Sequence, residues 1–167
     1  MKTKIIALSM FIGAALCAQT TIWMMGDSTM ASYPKDRAPL TGWGQALSEY
    51  CKPGVKVQNQ AISGWSTTMF MKKDDKTGKS KFDSFVDKIK PGDYLIIQFG
   101  HNDQKKSSEK QYASPEKYRE YMTFFVNEAK KRGATPVFAT SVCRRQFKDG
   151  KAVSTLGEYP DITRTLA

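Results

Sequence analysis

The chain reads as an α/β protein built on a doubly wound parallel sheet. Two observations carry that reading. Short apolar runs alternate with stretches of helical periodicity, in the order strand, helix, strand, helix, strand, helix, strand, the signature of a layered fold around a parallel sheet. The strongest run, residues 93–99 (DYLIIQF), is nearly continuous in apolar residues, which suits a strand covered on both faces. Crossovers of one hand put the loops that follow strands along one edge of such a sheet. The expected architecture is therefore three-layer α/β/α, flavodoxin-like, with helices on both faces.

Residues 1–18 stand apart from this fold. Lys2 and Lys4 make a basic start, residues 5–16 are apolar, and Leu16-Cys17-Ala18 offers small residues before Gln19. That is the plan of a secretory signal peptide, with an apolar part too short to span a membrane stably. Cys17 raises a lipid anchor, but Leu16 before it suits such processing poorly. The expectation is a secreted or periplasmic protein, with residues 19–167 as one domain.

The first strand is the run TIWMMG at 21–26, which passes through Asp27 and Ser28 into a segment able to start a helix. A short helix is expected near Trp43, with Leu47 and Tyr50 at helical spacing, until Pro53-Gly54 breaks it. Val55-Lys56-Val57 alternates and leads, as the second strand, into a Gly-containing loop ending at Gly64. Residues 65–71 read as a helical turn. Residues 72–81 (KKDDKTGKSK) read as a solvated loop, since adjacent Asp74 and Asp75 lack the ligand spacing of a calcium loop.

Phe82, Phe85, Val86 and Ile89 form one apolar helix face, ended by Pro91-Gly92. The strand at 93–99 follows. Ser114 then caps Pro115, and Tyr118, Tyr121, Met122, Phe125, Val126 and Ala129 form a helical stripe that Gly133 stops. Residues 136–140 are the next strand. Beyond it lie Arg144-Arg145, a turn at Gly150 and a helix start at Tyr159-Pro160. Sheets of this class have about five strands, and the run of elements gives one fewer. The expectation is the N-terminal part of a longer protein, incomplete, with the last strand and helix missing and an apolar flank of the sheet exposed.

The formal charge is +10, to which residues 1–18 contribute two lysines and no acids. A positive surface on an exported chain favours anionic partners, such as acidic polysaccharide, envelope polymer or lipid headgroups. No stretch interleaves basic and aromatic residues as a nucleic-acid module does. Neither a nucleic-acid partner nor stable membrane insertion is expected, and the chain reads as a monomer. Cys51 and Cys143 do not make a disulfide framework, and whether they pair stays open. With one histidine in the chain they are too few for a zinc site. No metal or organic cofactor is implied.

Three loops share a geometric property. Ser28 follows the first strand, Gly64 the second and Asn102 the third. Open parallel sheets bind ligands outside the carboxyl ends of their strands, so these residues are expected to line one crevice. A serine hydroxyl, the Gly64 N–H and the Asn102 amide supply an attacking oxygen and donors to a developing oxyanion, each donor worth about 10²–10³ in rate. Taken singly, each has a plainer role. Asp27 or Ser28 caps a helix, Gly64 turns the chain, and Asn102 ties down a loop. Asp27 and Asp103 are expected to bond nearby N–H groups. Convergence at successive strand ends favours the reactive reading.

The blocks GDSTMA at 26–31, GWGQ at 42–45, N-x-A-x-S-G at 59–64 and GDYLIIQFGHNDQ at 92–104 resemble those of the SGNH (GDSL-type) hydrolases. The resemblance is nearest to the rhamnogalacturonan acetylesterase-like branch, and residues 134–147 and 157–160 extend it. It implies that Ser28 is a nucleophile, and that Gly64 and Asn102 complete an oxyanion hole with the Ser28 N–H. It also implies deacetylation of a sugar hydroxyl through an acetyl-serine intermediate, with acetylated pectic polysaccharide as substrate.

Two departures matter. The family draws its base from a late D-x-x-H motif, which this chain lacks, and His101 is its only histidine. A serine hydroxyl needs a base, so the chain as written is expected to be incompetent or nearly so. His101 is open to two readings, as the base or as a packing and hydrogen-bonding residue. Second, Trp65-Ser66-Thr67-Thr68 follows Gly64 where many relatives carry a basic residue, which leaves the exact sugar open. Two other functions compete. A lipid or thioester hydrolase of the same superfamily wants an apolar acyl groove, against which the polar stretches at 66–68 and 72–81 argue. A non-catalytic polysaccharide-binding protein would use Trp43, Trp65 and Tyr33 as stacking platforms.

Overall fold

Strand β1 (Thr21–Gly26) is the axis of the sheet in the computed structural model, which describes residues 19–167. The expected signal peptide at 1–18 lies outside the described residues. β1 pairs in parallel with β2 (Lys56–Asn59) on one side and β3 (Tyr94–Gln98) on the other, and β4 (Thr135–Phe138) lies beyond β3. The order β2-β1-β3-β4 means that the chain leaves β1 in one direction and returns past it in the other. Connections therefore diverge at the carboxyl end of β1, where such sheets open a crevice.

Register sorts the side chains onto two faces. Trp23, Met25, Leu95 and Ile97 share one face through the pairs Trp23–Leu95 and Met25–Ile97. They form the core with the helical stripe of α4 (Pro115–Lys131), in which Tyr118, Met122, Phe125, Val126 and Ala129 are buried as their spacing requires. Each such side chain contributes roughly 1.5–3 kcal/mol by leaving water. Three shorter helices complete this layer: α2 (Thr67–Met71), α3 (Asp83–Val86) and α5 (Tyr159–Leu166). Phe70 packs edge-on to Phe99 at 5.0 Å, and Phe82 lies 4.9 Å from Phe125, ring centre to ring centre.

The opposite face is covered unevenly. Over β1 and β2 it meets α1 (Trp43–Ala46), where a Cβ on Gly44 would stand 2.5 Å from the Met30 carbonyl and 2.8 Å from the Asn59 amide. Met24 is fully buried beneath. Over β3 and β4 the same face shows Tyr94 at 43% and Val137 at 39% exposure. Among the described residues this part of the face is therefore partly open to solvent.

The structure departs from the sequence reading in several elements. No helix follows Ser28, because Asp27 closes a single tight turn instead. The helix at Trp43 is one turn continued by a 3-10 segment (Leu47–Tyr50), and Tyr50 is 83% exposed rather than on an apolar face. The helix expected over 82–89 has only one α-helical turn, although Phe82, Phe85, Val86 and Ile89 are all buried. A reciprocal cap starts it, with the Ser80 N–H donating to Asp83 Oδ2 and the Asp83 N–H to Ser80 Oγ. Asp149 and Gly150, both at positive φ, close an unforeseen hairpin of β5 (Phe147–Lys148) and β6 (Lys151–Ala152). Cys51 and Cys143 are free thiols. No helix of the described residues is long and apolar enough to cross a membrane.

Candidate active site

The end of β1 is built to present Ser28. Asp27 is fully buried, and its Oδ1 accepts from the Thr29 N–H at 2.9 Å and the Thr29 hydroxyl at 2.8 Å. Its carbonyl accepts from Met30 and Ala31. The sequence expectation that Asp27 bonds nearby N–H groups therefore holds, without a helix. A Cβ on Gly26 would lie 2.7 Å from the Gln98 carbonyl, so the close approach of β1 to β3 demands glycine. Below the turn, the Trp43 indole donates to Gln98 Oε1, and Gln98 Nε2 donates to the Thr29 hydroxyl at 2.8 Å. Tyr33 donates to the Ser28 carbonyl at 2.8 Å. Ser28 is thus held by its backbone, while its hydroxyl and its N–H have no hydrogen-bond partner among the described residues.

The loop after β3 is fixed by Asp103. Its fully buried carboxylate accepts from the Thr67 N–H at 2.9 Å, the Thr67 hydroxyl and the Gly100 N–H at 3.0 Å. Burial outweighs these donors and pushes its carboxyl up to about 6. Asn102 donates one amide hydrogen to the Trp65 carbonyl at 2.7 Å and accepts from the Lys105 ammonium at 2.7 Å. These two partners fix which end of the amide is nitrogen and leave one amide hydrogen unengaged. Gly64 adopts a φ of +80°, its N–H has no partner among the described residues, and its carbonyl accepts from Gln111 at 2.6 Å.

Ser28, Thr29, His101, Asn102, Lys105 and Arg144 line one cleft of about 370 Å³. Gly64 lines a neighbouring groove instead, so two of the three residues expected in one crevice share it, and the Asn102–Trp65 bond lies between the two spaces. The arrangement offers one unencumbered hydroxyl and several unengaged N–H donors at the carboxyl edge of the sheet, which is equipment for attack on an acyl carbon.

His101 has a different occupation. Its Nε2 donates to the Val142 carbonyl at 2.8 Å, and its Nδ1 faces Asp27 Oδ2 at 3.4 Å. That carboxylate oxygen is buried and otherwise has no partner among the described residues. Both ring nitrogens are turned to acceptors and neither to Ser28, so the geometry matches the hydrogen-bonding reading of His101. Trp43, Gln98, Thr29 and Lys105 support the site without having been singled out for it in the sequence. Only the Asp27-x-Thr29 pairing carried a local signal, as an Asx turn. The Trp43–Gln98 and Gln98–Thr29 bonds span 55 and 69 residues, beyond any local pattern.

Comparison with known proteins gives a consistent result. Residues 24–167 match the model of the GDSL-like lipase/acylhydrolase family. The chain is 41% identical over 147 residues to rhamnogalacturonan acetylesterase RhgT of Bacillus subtilis, covering 87% of this chain and 60% of that protein. It is 32% identical over 141 residues to the probable rhamnogalacturonan acetylesterase YesY of the same organism, covering 84% and 60%. It thus spans about 60% of the length of either relative. Among solved structures, the B. subtilis protein YxiM superimposes with a TM-score of 0.75 at 29% identity, over 89% of this chain and 41% of that one.

Proposed function

Because the chain belongs to the GDSL-like lipase/acylhydrolase family, we propose that it is part of an exported serine esterase that removes O-acetyl groups from a pectic, rhamnogalacturonan-type polysaccharide. The observation that carries this is the unengaged Ser28 hydroxyl and N–H in one cleft with the Asn102 amide. The names of the B. subtilis relatives support the carbohydrate substrate.

In this reading Ser28 Oγ attacks the acetyl carbonyl carbon. Its proton passes to a base as the tetrahedral oxyanion forms. The oxyanion is met by the N–H groups of Ser28 and Gly64 and by the free amide hydrogen of Asn102. Collapse expels the sugar oxygen, which takes up the proton, and water then releases acetate from acetyl-Ser28. His101, held by Val142 and Asp27, is not that base. The chain as written therefore works at the residual level of a triad lacking one member, roughly 10³–10⁴ over water.

The test supplies the missing base from solution. Acetate release from acetylated rhamnogalacturonan is followed as imidazole is raised, in the chain and in its Ser28→Ala form. A Ser28-dependent rate that climbs with imidazole supports the proposal, and Asn102→Ala then lowers that rate about 10²–10³-fold. Imidazole-dependent release that is the same without Ser28 overturns it. Faster fatty-acid release from lysophospholipid would replace the substrate with a lipid.

A further inference from the structure

A cleft larger than the one at Ser28 lies elsewhere among the described residues. It holds about 620 Å³, within the range of ligand sites, and lies between α2 and the loop at 72–81. Trp65 and Met69 give it an apolar wall, and Lys72, Lys73, Lys79, Lys81 and Lys110 surround it. Trp65, Met69 and Lys110 also line the groove at Gly64, so the two spaces are neighbours that share these residues. From these features we infer that this cleft is a subsite for the uronate units of an acidic glycan, seated on Trp65 and held by Lys79, Lys81 and Lys110.

The charge distribution is the first argument. Five lysines face two lining aspartates, Asp74 and Asp75, and Asp83 lies close enough to Lys73 and Lys79 to feel their charge. Asp74 is turned onto its own loop, accepting from the N–H groups of Lys76 and Thr77 at 3.1 and 2.9 Å. None of the five lysines has a carboxylate within 4.0 Å among the described residues. Lys81 is half-buried, and among the described residues the only hydrogen-bond partner of its ammonium is the neutral Gln60 amide at 2.9 Å. Burial, aided by Lys88, holds its pKa below the usual lysine value. A half-sheltered ammonium with no counter-charge is costly unless an anion arrives.

Order is the second argument. The loop at 72–81 is exposed, as the sequence implied, yet it is closed by the Lys73–Ser80 bridge and by the Asp74–Lys79 and Gly78–Asp74 backbone bonds. Its lysines are therefore presented from a defined frame. Trp65 is fixed too, edge-on to Phe70 at 5.5 Å and by its carbonyl on Asn102. A half-exposed indole face suits the apolar face of a sugar ring, while the ammonium groups suit ring carboxylates. Trp65 is bonded to Asn102 and lines this cleft, so the neighbouring units of a glycan whose acetylated unit sits at Ser28 have a route into it. The inference rests on the esterase reading for the choice of glycan.

Binding tests it independently of hydrolysis. De-esterified oligogalacturonate is titrated calorimetrically into the chain, into Lys79→Gln/Lys81→Gln, and into Lys52→Gln/Lys56→Gln. The last variant removes equal charge from exposed positions at the opposite edge of the sheet. The expected result is about tenfold weaker binding for the cleft variant and less than about twofold for the other. Neutral xylo-oligosaccharide binding is expected to be the same in all three. Equal losses in the two charge variants would mean general attraction to polyanions and would overturn the inference. Inorganic polyphosphate binding more tightly, with the same lysine dependence, would overturn the glycan assignment. Retained cleft binding without Ser28-dependent acetate release would strike the esterase proposal and leave the subsite standing.

Discussion

Asp103 is the residue on which the loop carrying Asn102 hangs, and its burial has a measurable pH signature. Its carboxyl titrates at about 6 in the folded chain against an ordinary 3.8. Below pH 4 the group is protonated whether folded or unfolded. Between about pH 4 and 6 the unfolded chain gives up the proton that the folded chain keeps. Stability from this group is therefore greatest at low pH and falls as pH rises through that window, by on the order of 2–3 kcal/mol, then levels off. Asp103→Asn removes the titration at the cost of one hydrogen bond, since an amide nitrogen then faces the Gly100 N–H. Urea unfolding at pH 4 and pH 7 is expected to show a larger decline for the parent chain than for Asp103→Asn. Parallel declines would mean that other groups carry the dependence.

At the level of elements, the two faces of the sheet are expected to answer mutation differently. Ile97 is fully buried among the aromatic rings under α4, and truncation to alanine there costs about 2–5 kcal/mol. Val137, on the uncovered face of β4, is expected to accept threonine within about 0.5 kcal/mol. Denaturant midpoints measure both, and a comparable loss at Val137 would show that its face is covered in solution. The strands and the long helix were legible in the sequence because their signals are local: apolar runs, a Ser114-Pro115 cap, a Gly133 stop. Ser28 and Asn102 stand out as candidates for the same reason, as residues just past strands, and they line one cleft. The one-turn helices were overread, because an apolar spacing such as Phe82–Ile89 guarantees burial but not the hydrogen bonds of a full helix. The lysine cleft was not legible at all. Charge patterning shows that residues 72–81 meet water, but not that Trp65 and Lys110 stand across from them.

Across the whole molecule, one edge of the sheet gathers the candidate chemistry, and long-range bonds from later elements hold it there. Tyr159, at the start of α5, donates to the Ala113 carbonyl at 2.6 Å and reaches the Asp103 carbonyl at 3.4 Å. Tyr118 of α4 donates to the Phe99 carbonyl at 3.0 Å and shares a hydrogen bond with Thr163 of α5 at 2.9 Å. Burial raises both phenols, Tyr159 to about 12, so each stays a neutral donor at ordinary pH. α5 thus clamps the loop that runs from Asn102 to α4, while the Ser28 turn is clamped separately by Trp43, Gln98 and Tyr33. Tyr159→Phe keeps the ring against Tyr118 and removes only the hydroxyl, leaving the buried Ala113 carbonyl unmet at about 1–3 kcal/mol. For a chain of this size each kcal/mol lowers Tm by roughly 2–4 °C. Amide exchange is expected to accelerate over residues 100–113 and to remain unchanged at Met30 and Ala31, whose N–H groups close the Ser28 turn. Acceleration at both places would mean that the edge opens as one unit, and that the Ser28 turn and the Asn102 loop are not held independently.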